Sequence, residues 1–137
     1  MEKTNDNNRF SILVVDDEPK NIQLMGNILT QDGYTVEFAV NGQQALEWAG
    51  SRHFDLILLD IVMPEMDGFE VCRQLQADER TGEIPVIFIT VKEGADDEVT
   101  GLEMGAVDYI AKPFHPTVLR ARVKTQLKLR ESNLQLK

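Results

Sequence analysis

Three aspartates, a threonine and a lysine stand out because each closes or follows an apolar run. Asp16 and Asp17 come after "SILVV" (11–15), Asp60 ends "DLILLD" (55–60), Thr90 ends "IPVIFIT" (84–90) and Lys112 follows "AVDYIA" (106–111). Ionised carboxylates brought together raise one another's pKa, and a buried charge without a partner costs free energy. A hard cation with oxygen ligands resolves such a group, and Mg²⁺ held by one or two carboxylates, waters and a phosphate is the usual arrangement. One carboxylate oxygen is then free to attack phosphorus and form an aspartyl phosphate. A lysine and a hydroxyl neutralise and orient the phosphoryl oxygens. The chemistry on offer is phosphoryl transfer to a carboxylate.

These residues need elements that bring them to one rim. The apolar runs at 11–15, 35–40, 55–60, 84–90 and 106–111 are rich in Val, Ile and aromatics and are expected as strands. Between them, 19–31, 43–51, 68–80 and 95–104 have helical spacing; in the first, Ile22, Met25, Ile28 and Leu29 share a face. Gly33 is expected to stop that helix and Asn41-Gly42 to open the next. Pro116 suits the first turn of a fifth helix, which is expected to run to the end of the chain. Strands alternating with helices predict an α/β fold with a doubly wound five-stranded parallel sheet and five flanking helices. In such sheets the site lies outside the carboxyl ends of the strands, where all five residues fall.

Bulk properties narrow the function classes. The 137 residues suit one domain, and 14 basic against 23 acidic residues give a net charge of −9. That balance argues against direct nucleic-acid binding, which needs clustered Lys and Arg on phosphates. The single cysteine, Cys72, excludes an internal disulfide and suits a reducing cytoplasm. No run approaches the roughly 18 apolar residues of a membrane span, and the polar "MEKTNDNNRF" start has no signal-peptide core.

The stretches "VVDDEP" (14–19), "DLILLDIVMPEMDGFEV" (55–71), "VIFIT" (86–90) and "DYIAKPF" (108–114) carry a resemblance. From about residue 10 to residue 126 the chain resembles a receiver domain of the bacterial two-component response-regulator family. The resemblance implies the flavodoxin-like strand order 2-1-3-4-5 and makes Asp60 the phosphoacceptor. It implies Mg²⁺, with Mn²⁺ as a substitute, bound by Asp17, Asp60 and the main-chain carbonyl of Val62, with Asp16 helping through water. Lys112 is expected to contact the phosphoryl group and to precede a cis bond to Pro113. Thr90 and Tyr109 resemble the family's switch pair. The implied donor is a sensor histidine kinase or phosphotransfer protein, and the chain itself catalyses only its own phosphorylation and slow dephosphorylation. Val62 and Val91 are apolar, and Lys92 is a long cation, where faster-decaying relatives differ; a phosphorylated state lasting minutes or longer is expected.

Other readings accompany these. Asp16-Asp17-Glu18-Pro19 could simply cap the first helix. A phosphatase of the haloacid-dehalogenase type also uses Asp, Thr, Lys and Mg²⁺, but places its nucleophile in a D-x-D on the first strand, which "DDEP" lacks. A flavodoxin-like cofactor binder would want glycines and hydroxyls where this chain has acids, and no P-loop is present. His53 and His115 lack partners at zinc-ligand spacing. Cys72 and Trp48 are expected as packing residues, and "EGADDEV" (93–99) as an acidic helix start.

Residues 1–9 are expected to be a disordered N-terminal segment and 127–137 a helical extension toward an output domain following residue 137. Leu119, Val123, Leu127 and Leu134 follow a 4-4-7 spacing and Leu129 and Leu136 are seven apart, a short and imperfect heptad interrupted by Arg130. That pattern predicts weak homodimerisation through the fourth and fifth helix region and the C-terminal helix.

Overall fold

A computed structural model describes residues 9–91 and 95–136, of which 95–98 and 133–136 are described by backbone alone. The elements run β1 (Ser11–Val15), α1 (Pro19–Gln31), β2 (Thr35–Ala39), α2 (Gly42–Ser51), β3 (Leu56–Asp60), α3 (Gly68–Ala77), β4 (Val86–Val91), α4 (Ala95–Glu103), β5 (Asp108–Lys112) and α5 (Pro116–Leu136). All strand pairs are parallel, in the order β2-β1-β3-β4-β5. The register sets Val15 beside Leu59, Asp60 beside Ile89, and Val91 beside Lys112, which aligns the carboxyl ends of four strands.

The apolar runs are continuous because both sheet faces are covered. Leu13, Val15, Ile57, Leu59 and Phe88 point to one face and pack with Phe54, Val71 and Leu75. Ile12, Val14, Leu56, Leu58, Ile87 and Ile89 point to the other and pack with Met25, Leu29, Leu119 and Val123. Every residue of β3 is buried, so Asp60 ends a strand with water on neither side. At the β2 edge, Trp48 Nε1 donates to the Phe38 carbonyl (2.9 Å) and Val40 N donates to Gln44 Oε1 (3.0 Å). Side chains of α2 thus occupy groups that an open edge would offer to another strand. Trp48 also meets Phe54 edge-on, and Cys72 is fully buried with its thiol pushed up by burial, both as packing residues.

Several boundaries differ from expectation. α3 ends at Ala77 rather than residue 80, because Asp78 leaves the helix and Thr81 Oγ1 donates back to the Leu75 carbonyl (2.6 Å). β4 starts at Val86, after Pro85, and β5 spans Asp108–Lys112 rather than 106–111. Asn41 caps α2 through Gln44 N (2.8 Å), and Gly33 takes φ 95° after α1, both as the sequence predicts.

The heptad reading of α5 needs correction. Leu119, Val123 and Leu127 are 0 to 2% exposed and belong to this domain's own core, so they cannot form a seam for a second chain. Arg130 bonds Asp55 and the Glu83 carbonyl, which ties the helix to the body beyond Gln126. The side chains of Leu134 and Leu136, the segment 1–8, and Lys92 to Gly94 lie outside the described residues, as do the side chains of 95–98 within "EGADDEV".

Candidate functional site

β1 delivers Asp16 to the rim, where its main-chain N–H continues the sheet by donating to the Ala39 carbonyl (3.1 Å). Asp16 is fully buried, and its Oδ1 accepts from Glu18 N (2.8 Å), which turns the chain into α1 at Pro19. Asp16 thus shapes the turn before α1 without capping the helix, whose N-cap is Glu18 and which has no side-chain cap, so the capping reading of these acids does not hold. Asp16 Oδ2 is buried without a hydrogen bond. Such a group is costly unless a cation offsets it. Asp17, the next residue, is exposed at the rim.

Asp60 is 3% exposed, and carboxylate oxygens of Asp16, Asp17 and Asp60 lie within 4.8 Å of one another. Among the described residues this is the one group of acids able to hold a metal ion. Burial, then the Asp16 charge, pushes the Asp60 pKa up to about 6, against the hydrogen bond and charge of Lys112. Lys112 Nζ stands 3.0 Å from Asp60 Oδ1 and 3.3 Å from Asp16 Oδ2. Only the Asp60 contact has hydrogen-bond alignment; the Asp16 contact is one of charge alone. Burial works to lower the lysine's pKa, but its hydrogen bond to Asp60 and the charges of Asp60 and Asp16 together outweigh this and raise it. One ammonium thus contacts two carboxylates of a cluster of three. The excess negative charge, the orphaned Asp16 oxygen and the all-oxygen donor set fit a hard divalent cation.

The loop after Asp60 explains the "MPEMDG" run. Ile61 and Met63 are 4% and 7% exposed and pin the loop inward, while Val62 between them is 64% exposed. Glu65 takes φ 70° as the chain reverses. Asp67 then caps α3 through Glu70 N (2.9 Å), and Gly68 N donates to the Ile61 carbonyl (2.8 Å). A Cβ at Gly68 would stand 2.4 Å from the Asp60 carbonyl oxygen, so only glycine fits there. Gly68 positions Asp60 through the backbone, a role the sequence reading missed.

Thr90 is 2% exposed at the end of β4, and its hydroxyl makes a long 3.4 Å contact to the Val91 carbonyl instead of reaching Asp60. Tyr109 on β5 is half-buried, with the Arg122 guanidinium 5.8 Å from its ring centroid. Arg122 also donates twice to Asp108 (2.8 and 2.9 Å), an arrangement with no signal in the sequence beyond an acid and a base on successive elements. The Lys112–Pro113 bond is cis. His53 does have an acidic partner, Asp55 Oδ1 at 3.1 Å, but the pair lies before β3, at the opposite end from the site. Asp16, Asp17, Asp60 and Lys112 are thus brought together, Thr90 and Tyr109 stand on neighbouring strands, and Val62 follows in the exposed loop.

Residues 12–124 match the family model described as the response regulator receiver domain. The chain is 46% identical over 93% of its length to a Vibrio cholerae protein named "Probable cyclic di-GMP phosphodiesterase", of which it covers 29%. It is 43% identical over 88% of its length to the alkaline phosphatase synthesis transcriptional regulatory protein PhoP of Bacillus subtilis, of which it covers 49%. The chain therefore spans between about a quarter and a half of these curated relatives. A CheY-like response regulator receiver domain protein from Methanospirillum hungatei has a solved structure that superposes with a TM-score of 0.84 at 30% identity, covering 90% of this chain and 98% of that one. With an acidic cluster at the carboxyl ends of a 2-1-3-4-5 parallel sheet and these matches, the chain belongs to the receiver domain family of two-component response regulators.

Proposed function

We propose that Asp60 is the phosphoacceptor of this receiver. An Asp60 oxygen attacks phosphorus, the P–N bond of a donor phosphohistidine breaks, and its electron pair remains on the imidazole. Lys112 follows the charge from the Asp60 carboxylate to the phosphoryl oxygens. Asp17, Asp60, the Val62 carbonyl and, less directly, Asp16 would hold Mg²⁺, or Mn²⁺ in its stead, which would supply further charge neutralisation. The observation that carries this reading is the buried Asp60 held 3.0 Å from Lys112 within a cluster of three carboxylates.

The long Thr90 contact supports a switch role, since a 3.4 Å bond is weak and easily exchanged. A phosphoryl group draws the Thr90 hydroxyl toward it, Tyr109 turns inward, and the population shifts to the active arrangement. The donor is a sensor histidine kinase or phosphotransfer protein in the cytoplasm, and the receiver, residues 10–126 with a helical extension, controls an output domain. The names of the two curated relatives point to different outputs, a phosphodiesterase and a transcriptional regulator, so the output class is left open. Exposed Val99, Leu102, Val107 and Val118 on α4, α5 and the loop before β5 support weak homodimerisation there.

The chain is a signalling domain and not a turnover enzyme. Incubation with acetyl phosphate and Mg²⁺ tests this: a receiver retains an acid-stable, base-labile phosphate on the protein. Catalytic hydrolysis of excess donor without a retained phosphate would replace this reading with that of a phosphatase.

A further inference from the structure

β5 is the last strand of the β2-β1-β3-β4-β5 sheet, so its outer edge has no strand beside it. Asp108 and Tyr109 are successive residues there, and successive side chains point to opposite faces. Tyr109 packs on the face that holds Phe88 and Leu75, whereas α5 sends Leu119 and Val123 into the other face. Arg122 of α5 nevertheless contacts both residues, with Nη1 donating to Asp108 and Cζ over the Tyr109 ring. Its side chain therefore lies across the sheet edge.

The contact with Asp108 is not the geometry that an ion pair alone favours. A guanidinium grips a carboxylate most strongly as a fork, with two parallel N–H···O bonds. Here Nη1 alone serves both Asp108 oxygens, at 2.8 and 2.9 Å. Arg122 Nε is buried and makes no hydrogen bond among the described residues. A buried donor left unpaired is costly, so another contact must offset it. The Tyr109 ring supplies that contact, its centroid 5.8 Å from the guanidinium carbon and inside the roughly 6 Å reach of a cation–π interaction. Asp108 also steadies the base of the ring, because its Oδ1 accepts from Tyr109 N (2.8 Å). One carboxylate thus holds both partners of the ring contact.

An inward turn of the ring breaks this contact while Arg122 stays clamped by Asp108. The charge therefore weighs against the turn. With the Arg122 side chain 40% exposed, the interaction falls at the weak end of its range, a change of about two- to fivefold in a two-state population.

We propose that Arg122 is the positioning residue of the Tyr109 switch: clamped across the β5 edge by Asp108, it holds the ring in its half-buried place and so limits how often the chain adopts the active arrangement. This role rests on Thr90 and Tyr109 forming the switch pair.

The test uses the full 137-residue chain, whose two tyrosines, Tyr34 and Tyr109, are replaced biosynthetically by fluorotyrosine. Tyr34→Phe assigns the Tyr109 fluorine resonance, which is read with Mg²⁺ before and after beryllofluoride, beside the rate of phosphate uptake from acetyl phosphate. Arg122→Met keeps an apolar stem and removes the charge. Without beryllofluoride it should move the Tyr109 resonance part of the way to the wild type's beryllofluoride position and speed uptake about two- to fivefold. Arg122→Lys keeps the charge without the planar guanidinium, so it should fall between the two, and it carries the test should Arg122→Met fold poorly. In a Tyr109→Leu background the effect of Arg122→Met on uptake should vanish, which a general loss of stability would not produce. An unmoved resonance and unchanged uptake in both Arg122 variants, or the same acceleration without the ring, would overturn the role of Arg122 alone. A wild-type Tyr109 resonance that beryllofluoride leaves in place would overturn the switch reading, and this role with it.

Discussion

Arg130 Nε lies 3.3 Å from Asp55 Oδ1, joining the outer half of α5 to the chain just before β3. Both side chains are about nine-tenths buried, at 11% and 10% exposure. Asp55 Oδ2 also accepts from Ser11 N (2.9 Å), so one carboxylate links the bottom of β1, the approach to β3, and α5. Removing one member of a buried pair strands the other, at about 3–5 kcal/mol. Asp55→Ala and Arg130→Met should each destabilise the fold, and the double variant should lose less than their sum. A chain ending at Gln126 should lose at least about 2–5 kcal/mol from Leu127 alone. Urea denaturation of the four chains measures this; equal stability of the shortened chain would show that the helix carries no load past Gln126.

Asp60 predicts an inverted pH response. Its folded pKa, raised to about 6, lies above its unfolded value. Its protonated form therefore favours the fold, and that contribution is complete below the unfolded pKa and lost as pH rises through about 6. Without divalent cations, Asp60→Asn should exceed the wild type in stability by up to about 3 kcal/mol at neutral pH, with the gap closing toward about pH 4. Mg²⁺ at neutral pH should stabilise the wild type more than the variant. Thermal melts across pH check this, and a gap that widens in acid would contradict it.

Gly68→Ala forces a Cβ to within 2.4 Å of the Asp60 carbonyl oxygen, a backbone atom with little room to give. A cost of about 2–4 kcal/mol is expected, together with slower phosphorylation because Asp60 is displaced. Denaturation and phosphate-uptake rates on one preparation would separate the effects; wild-type values for both would mean that the loop relaxes freely.

Val62 and Val91 are 64% and 49% exposed beside the rim, and neither can align a water. The phosphorylated state should therefore persist for minutes or longer, and Val62→Asn should shorten it. Following phosphate loss in both proteins tests this. Wild-type decay within seconds would contradict the steric account.

The parts most legible in the sequence were those set by burial on both faces. β1, β3 and β4 read as apolar runs because helices cover each side, and their polar terminators then named Asp16, Asp60 and Thr90 directly. α5 was harder, since Leu119, Val123 and Leu127 have a spacing that serves a sheet or a second helix equally well. Arg130 looked like a defect in a heptad because its partner, Asp55, is 75 residues away. The end of α3 depends on a Thr81 side chain bonding the Leu75 carbonyl, which overrides the good helix formers around it. Gly68 and Arg122 escaped notice because each acts through a neighbour, one through the Asp60 backbone and one through Asp108 and Tyr109.

The central claim is that Asp60 accepts the phosphoryl group. The most direct measurement is mass spectrometry of the chain after acetyl phosphate and Mg²⁺, with the modified peptide sequenced. One phosphate per chain on Asp60, absent from Asp60→Asn and reduced in Asp17→Ala without unfolding, is the predicted result. Label on another residue, or equal labelling of the wild type and Asp60→Asn, would contradict it.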